Sequence, residues 1–379
     1  MPNIIPMVVL LSVTACTKNY DNVNFGTTNG LSSYTYDWNK IADSSSGALN
    51  YNYWNASGYY NSNNGGNTNF GYWWQAHSLD VLVDAYTRTQ STGYAGFINN
   101  WYTGVKAKNG GSFIGQYYDD MGWIALALLR AYDATKDARF KTEVDALWTN
   151  IQTGWNTTMG GGIAWQKNQT YYKNSPANGP ACILAARRYE RFQDPNDLVW
   201  AKQIYGWWKN TLLDPGTGLV YDGINQAGDG KINTSWKFTY NQGVFIGAAI
   251  ELYTITGDGG YLNDAMKTAN YTINDPTLSP LGILNDEGAG DAGLFKGIFV
   301  RYFIQLILNK DIDPGYRTRF ITYLKNNAET LWINGTIRPG ILFGTNWSRV
   351  PTGNTDLSTE LSGCMLLEGI ALLKKNSLL

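Results

Sequence analysis

Six helical segments that are apolar on nearly every side recur along this chain of 379 residues, and they restrict the folds that it can adopt. From about Leu31 onward, apolar residues follow helical spacing almost throughout, without the sustained alternation that is typical of strands. A helix that is apolar all round has to be buried. The six segments recur about every 45 to 60 residues, as internal repeats do, and they are Trp74–Tyr86, Met121–Tyr132, Pro180–Arg188, Gly243–Tyr253, Gly297–Leu308 and Leu361–Leu373.

Charged, amphipathic segments lie between the apolar ones, and each has one face suited to water. They include Arg139–Trp148, Asn196–Thr211, Tyr261–Thr272 and Tyr316–Leu331. A buried helix that alternates with a half-exposed one predicts six helical hairpins that close into an inner and an outer ring. The expected fold class is therefore all-α, an (α/α)6 barrel.

The composition favours a carbohydrate ligand and disfavours several other functions. Charged residues make up 16% of the chain, which also contains 15 Trp and 26 Tyr. Aromatic rings offer flat apolar faces to pyranose rings, and amides and hydroxyls bind sugar hydroxyls without burying charge, although core packing accounts for part of this aromatic content. With a net charge of -1 and no basic run, the sequence does not predict nucleic-acid binding.

Histidine and cysteine are scarce, which narrows the available chemistry. His77 is the only histidine, and the cysteines are Cys16, Cys182 and Cys364. Zinc sites of the Cys/His type and Ser-His-Asp triads are therefore disfavoured, and we expect carboxylate catalysis with no metal and no cofactor. Cys182 and Cys364 lie in apolar helical segments, where buried free thiols are expected, but the sequence leaves open whether they pair.

The first residues resemble the signal of a bacterial lipoprotein. A short apolar run, Ile4–Val13, leads into Val13-Thr14-Ala15-Cys16, where small residues precede a cysteine, although no Lys or Arg precedes the run. We expect a signal peptide over 1–15, a lipid on Cys16 and a flexible tether over 16–30, followed by a single catalytic domain over 31–379. This arrangement predicts a monomer at the bacterial outer membrane, facing the cell surface or the periplasm, with membrane contact only through the lipid.

The loops that enter the apolar helices carry aromatic, amide and charged residues. If the inner helices run parallel, all six loops meet at one mouth of the barrel and form a binding cleft. The loops are Phe70–Trp74, Tyr117–Asp120, Asn174–Asn178, Phe238–Gly243, Asp291–Lys296 and Asn354–Asp356.

Two adjacent carboxylates, Asp119 and Asp120, stand at the start of one apolar helix. The helix N-terminus is expected to lower the pKa of one carboxyl, and repulsion to raise that of the other, giving a nucleophile and a proton donor. Consecutive helical residues diverge by about 100°, but at a helix tip they can converge at the roughly 5–5.5 Å spacing of retaining glycosidases rather than the wider spacing of inverting ones. The alternative is an ordinary helix cap, with Asp119 as the capping residue.

Four sequence blocks resemble glycoside hydrolase family 76, the α-1,6-mannanases. They run in order across most of the chain beyond Leu31, and jointly they are specific. The blocks are Tyr118–Trp123 with Ala125–Leu128, Gly161–Trp165 with Lys173, Asn174 and Asn178, Thr239–Gly243, and Phe295–Phe299 with Arg301 and Tyr302.

The resemblance implies an (α/α)6 barrel that cleaves α-1,6-mannan with retention, with mannan as the partner molecule. It implies Asp119 as the nucleophile and Asp120 as the acid/base. The sugar subsites that it implies are Trp123, Trp165, Asn174, Asn178, Tyr240, Asn241, Gln242 and Lys296.

Several of these assignments have simpler alternatives. Lys296 reads equally well as a solvated loop lysine, and Asn241 and Gln242 as capping residues. Trp73, Trp74 and His77 precede or open another inner helix, so one of them can face the cleft, although core packing is the expectation for any single one. Solvated turns are expected for the acidic residues Asp222, Asp286, Glu287 and Asp291, with a role in sugar binding as the alternative.

The sequence is compatible with two other functions. A retaining enzyme can transfer its glycosyl group to a sugar instead of water, which would make the chain a transglycosylase. Another hypothesis is a surface lipoprotein that binds glycans without cleaving them. The sequence does not separate endo from exo action.

Overall fold

The computed structural model describes residues 35–379, which form twelve α-helices in two rings. The outer helices are α1 Trp38–Tyr53, α3 Thr92–Lys108, α5 Ala138–Gln152, α7 Pro195–Leu212, α9 Gly259–Asn274 and α11 Pro314–Asn334. The inner helices are α2 Tyr72–Thr89, α4 Tyr118–Thr135, α6 Ser175–Phe192, α8 Thr239–Thr256, α10 Phe295–Leu308 and α12 Leu357–Lys375. Helix α12 packs on both α10 and α2, so the inner ring closes and the predicted (α/α)6 barrel is confirmed.

The inner helices approach one another closely because small residues lie at their crossings. A Cβ atom at Gly243 of α8 would lie 2.6 Å from Cα of Phe299 in α10, and one at Gly297 of α10 would lie 2.7 Å from Cα of Ser362 in α12. No real side chain fits at such distances, so glycine permits this packing. The closed ring buries the apolar helices that the sequence pattern indicates.

The inner helices begin earlier than their apolar runs. Helix α6 starts at Ser175, although its apolar run starts at Pro180, and α8 starts at Thr239 instead of Gly243. Residues expected in the entering loops therefore occupy the first helical turns. Hydropathy misses these turns because their polar side chains, such as Asn178 and Gln242, are buried through hydrogen bonds to loops rather than through apolar contacts.

Among residues 35–379, seven short strands interrupt the helical architecture, and the sequence pattern did not predict them. Strands β3 Ala164–Gln166, β4 Gln169–Asn174 and β5 Gly223–Ile224 form an antiparallel sheet in the order β3-β4-β5. Strand β4 ends at Asn174, whose side chain accepts a hydrogen bond from the Ala177 amide and caps α6. The other two sheets are hairpins, β1 Trp54–Asn55 with β2 Tyr59–Tyr60 and β6 Thr336–Ile337 with β7 Leu342–Phe343.

Cys182 and Cys364 are free, buried thiols, as the packing argument expected. Within 35–379, no helix combines the length and apolarity that a membrane span requires. The predicted signal peptide, Cys16 and the tether over 16–30 lie outside the residues that the structure describes.

Candidate active site

A cavity of about 490 Å³ opens at the N-terminal ends of five inner helices. Aromatic rings form most of its wall, and four carboxylates reach it. Its lining residues are Trp73, Tyr117, Asp119, Asp120, Trp123, Trp165, Tyr172, Asn174, Pro176, Asp222, Gln226, Trp236, Phe238, Tyr240, Asp291 and Phe295.

Asp119 lies in the first turn of α4 and is held by two N–H donors. Its Oδ2 accepts a hydrogen bond of 2.9 Å from Trp165 Nε1, and its Oδ1 accepts one of 3.0 Å from the Asp120 amide. Burial raises the pKa of Asp119, these two bonds lower it in part, and the charge of Asp222 raises it further. The expectation that the helix N-terminus leaves one carboxyl with a lowered pKa is therefore wrong, because desolvation outweighs it.

Asp120 is the more strongly perturbed member of the pair. Burial raises its pKa well above the ordinary value, and the charges of Asp119 and Asp291 add to the effect. No hydrogen-bond donor within 35–379 contacts its carboxyl group. Asp120 therefore holds a proton more readily than Asp119, which suits Asp120 to donate a proton and Asp119 to act as a carboxylate.

The helix-cap alternative does not describe this pair. The N-cap of α4 is Tyr117, which makes no side-chain capping bond, and both aspartates follow it inside the helix. Asp119 bonds the amide of its own neighbour rather than one two or three residues on. The Asp119 carboxylate therefore lines the cavity instead of capping the helix.

Asp222 is a third cavity carboxylate, and the sequence pattern assigned it to a solvated turn. It is instead 3% exposed and accepts hydrogen bonds from Tyr240 Oη at 2.8 Å, Tyr172 Oη at 2.9 Å and Asn241 Nδ2 at 3.1 Å. Burial raises its pKa, and the three donors offset part of that rise. Its donors come from strand β4 and helix α8, so only the folded chain reveals the site.

Asp291 also departs from the solvated-turn expectation. Its Oδ1 accepts hydrogen bonds from Trp73 Nε1 at 2.7 Å and Trp74 Nε1 at 2.8 Å, and it lines the cavity although it is exposed. His77 lies behind this wall, with ring centroids 5.6 Å from Trp73 and 5.1 Å from Trp123. Burial lowers the pKa of His77, so a neutral imidazole packs there. Of Trp73, Trp74 and His77, only Trp73 lines this cavity.

Stacked and tilted aromatic rings complete the walls. Tyr240 and Phe295 stack with centroids 3.9 Å apart, and Tyr117 packs against Trp165 at 5.2 Å. Such faces suit the C–H faces of sugars. Phe295, Trp236 and Phe238 were not predicted as site residues, although they stand in or beside the aromatic blocks that the sequence analysis singled out.

Four of the eight predicted subsite residues line the cavity, namely Trp123, Trp165, Asn174 and Tyr240. The other four are buried beneath it. Asn178 exchanges hydrogen bonds with the Ile163 backbone, and Gln242 does so with Val220. Asn241 donates to Asp222, so these amides hold the loops and carboxylate of the site rather than line the cavity.

Lys296 is neither a lining residue nor a solvated lysine. It is 1% exposed, and its ammonium group donates to the carbonyl oxygens of Asn285 and Thr345 while lying 4.8 Å from the Trp347 ring centroid. Burial lowers its pKa to about 8, while Glu287 acts to raise it. Glu287 in turn accepts from the Thr239 amide at 2.8 Å, whereas Asp286 is exposed and bonds Thr345. Lys296 thus secures loops behind the mouth.

Comparison with known proteins agrees with this geometry. The family model described as glycosyl hydrolase family 76 matches residues 19–377. The structure is similar to the α-1,6-mannanase of Salegentibacter sp. HEL1_6, with 45% identity and a TM-score of 0.87 over 89% of this chain and 100% of that one. It is also similar to the Lin0763 protein of Listeria innocua, with 38% identity and a TM-score of 0.84 over 90% and 99%.

Curated relatives are more distant. The mannan endo-1,6-α-mannosidase DCW1 of Candida albicans is 24% identical over 286 residues, which are 68% of this chain and 62% of that protein. The chain thus spans less than two thirds of the length of this relative. Because the family model covers nearly the whole sequence and the bacterial mannanase shares both fold and sequence, the chain belongs to glycoside hydrolase family 76.

Proposed function

We propose that this protein is a retaining endo-α-1,6-mannanase, in which Asp119 is the nucleophile and Asp120 the acid/base. The observation that carries the proposal is the half-buried pair in the wall of an aromatic cavity, with two N–H donors on Asp119 and none from residues 35–379 on Asp120. Inactive variants of the Salegentibacter mannanase, in which two consecutive aspartates are replaced, have been solved with α-1,6-mannotetraose and α-1,6-mannotriose. We extend that substrate class to this chain.

The two carboxyl groups divide a double displacement between them. Asp119 attacks the anomeric carbon while Asp120 protonates the glycosidic oxygen, so the C–O bond breaks and a mannosyl ester forms on Asp119. Asp120, now ionised, takes a proton from water as that water attacks the same carbon. The ester bond breaks, Asp119 leaves as a carboxylate, and the product keeps its anomeric configuration.

An NMR time course on an α-1,6-mannooligosaccharide tests this proposal. We expect internal cleavage and an α-anomer that appears before mutarotation. A first product with the β-configuration would contradict retention, and release of single mannose units from one end would contradict endo action. No cleavage of unbranched α-1,6-mannan would leave only glycan binding.

The same reaction mixture separates hydrolysis from transfer. Both start from the ester on Asp119, and they differ in whether water or a sugar hydroxyl attacks it. Mass spectrometry of the products is the readout. Hydrolysis gives only chains shorter than the substrate, whereas longer chains would indicate a transglycosylase.

We further propose that Cys16 carries a lipid that tethers the enzyme to a bacterial outer membrane. The small residues before Cys16 and the polar stretch after it support this proposal. In a bacterial host, labelled palmitate should be incorporated into the wild type and not into Cys16→Ala. Equal labelling of both forms would contradict the proposal.

A further inference from the structure

A second pocket, of about 320 Å³, lies at the same end of the barrel as the catalytic cavity. It occupies the sector formed by the N-terminal ends of α2 and α12, whereas the catalytic cavity takes no lining residue from α12. We call it the asparagine pocket, and its main lining residues are Asn63, Asn67, Asn69, Phe70, Trp74 and Asp356.

Local hydrogen bonds shape the loop that forms this pocket. Asn63 Oδ1 accepts from the amides of Gly65 at 2.9 Å and Asn67 at 3.1 Å. Asn64 and Thr355 bond each other twice, since the Asn64 amide donates to the Thr355 carbonyl and the Thr355 amide donates to Asn64 Oδ1. The loop is thus organised before any ligand arrives, which lowers the entropic cost of binding.

The pocket presents polar groups to solvent, and Asn67 and Asn69 are exposed. Among residues 35–379, no acceptor pairs with the Nδ2 groups of Asn63, Asn67 and Asn69, and no donor pairs with Asp356 Oδ1. Three amide donors and one carboxylate oxygen beside the half-buried ring of Trp74 are the groups that recognise a pyranose with several hydroxyls.

One carboxylate joins the two cavities. Trp73 lines the catalytic cavity and Trp74 lines the asparagine pocket, and both indoles donate to the same oxygen of Asp291. Asp356 Oδ2 accepts from the Gly290 amide at 3.0 Å, which ties α12 to the segment that bears Asp291. Adjacent residues of α2 therefore contribute to the walls of both cavities.

We propose that the asparagine pocket binds one mannosyl unit of the same glycan chain that the catalytic cavity cleaves. This inference rests on the proposed mannanase activity. The unit has two possible sources with the same chemistry, a distal residue of the α-1,6 backbone or a side-branch mannose. In either case the pocket lengthens the stretch of substrate that the enzyme recognises.

The test compares kcat/KM on the shortest cleaved α-1,6-mannooligosaccharide, on longer unbranched ones, and on branched mannan fragments. The variants are Asn67→Ala and Asn69→Ala, and the matched control is Thr68→Ala, an exposed neighbour on the same loop that does not line the pocket. We expect Asn67→Ala or Asn69→Ala to lower the ratio of kcat/KM on long or branched substrate to that on short substrate about fivefold, with no change for Thr68→Ala.

The substrate arms identify the source of the mannosyl unit, because a loss on unbranched long substrate indicates the backbone and a loss on branched substrate alone indicates a side chain. An unchanged ratio, or an equal loss on all substrates, would overturn the inference. Circular dichroism and thermal unfolding verify the fold of each variant. Asp356→Asn, which keeps an oxygen for the Gly290 amide, provides a second test of the ratio. If wild-type enzyme cleaves no substrate, the proposed function fails independently of these variants.

Discussion

Aspartates at the mouth of the barrel and aspartates deeper inside it lie in opposite electrostatic settings. At the mouth, Asp119 and Asp120 have no cationic partner within residues 35–379, and burial raises their pKa values. Farther from the mouth, near the middle of α2, Asp80 contacts Arg130 and Arg301. Burial acts to raise the pKa of Asp80 as well, but the two guanidinium groups outweigh it and hold that pKa well below its ordinary value.

Two further ion pairs lie deeper in the barrel than the mouth, and in one of them burial outweighs the counterion. Arg187 Nε lies 2.6 Å from Glu251, and Arg88 Nε lies 2.8 Å from Glu368. Burial raises the pKa of Glu368 despite its pair with Arg88, whereas the two arginines beside Asp80 keep that carboxyl ionised. Two arginines beside Asp80, and no cation beside Asp119 and Asp120 within residues 35–379, thus distinguish a structural carboxylate from the pair at the mouth.

Removing a mouth carboxylate should have the largest effect on activity. We expect Asp119→Asn to lower kcat on the order of 10⁴-fold, and Asp120→Asn roughly 10²- to 10⁴-fold. Reducing-end release from α-1,6-mannan is the measurement. The control is Asp311→Asn, an exposed carboxylate that bonds Tyr253 beyond the opposite ends of the helices. Either active-site variant with more than a tenth of wild-type activity would refute its assigned role.

Removing the Arg130 guanidinium group should lower the free energy of unfolding rather than the activity. Arg130 bonds both Asp80 and Asp84, so Arg130→Met leaves these two carboxylates with Arg301 as their only cationic partner within residues 35–379 and should cost about 3 kcal/mol of unfolding free energy. Urea unfolding at pH 7 measures the loss, and Arg139→Met, which breaks an exposed pair with Asp137, should cost about 0–1 kcal/mol.

The pH dependence of this loss of stability tests the same ion pair. The folded-state pKa of Asp80 is depressed, so its stabilising contribution is present above its ordinary pKa and is lost as pH falls below it. The difference between wild type and Arg130→Met should therefore shrink in that acidic range. A difference that grows on acidification would show that Arg130 does not act through Asp80.

Trp165→Phe should shift the pH profile of kcat/KM. Activity is expected to rise with pH as Asp119 ionises and to fall as Asp120 does, which gives a bell-shaped kcat/KM. Loss of the Trp165 Nε1 donor destabilises the Asp119 carboxylate and raises its pKa. The acidic limb should therefore move to higher pH by about one unit, because a hydrogen bond to a charged group contributes at least about 1.5 kcal/mol. An unmoved acidic limb would contradict the assignment of Asp119 as the nucleophile.

Asp222→Asn should move the same limb in the opposite direction and by less. The charge of Asp222 raises the pKa of Asp119 and is the weakest of the effects on it, so its removal lowers that pKa. The acidic limb should therefore extend to lower pH. If Trp165→Phe and Asp222→Asn shift it in the same direction, rearrangement of the site rather than electrostatics controls the profile.

Sequence reasoning located the carboxylate pair but misjudged several of its neighbours. Asp119 and Asp120 are adjacent in the chain and open an apolar helix, so local pattern is sufficient to single them out. Lys296 and Gln242 lie at equivalent helix starts, yet their side chains bond loop backbone. The direction of a side chain at a helix tip depends on the loops packed around it, which hydropathy does not encode.

The periodicity of the apolar residues by itself determined the twelve-helix barrel, because helices without a wet face can be buried only inside a second ring. The tertiary structure alone decided how the carboxylates beyond Asp119 and Asp120 are held. Asp222 and Asp291 are held at the mouth by donors from β4, α8 and α2, and Asp80 is neutralised by arginines from α4 and α10. The pKa of a buried acid depends on groups within a few ångströms in space, and those groups are far apart in the chain.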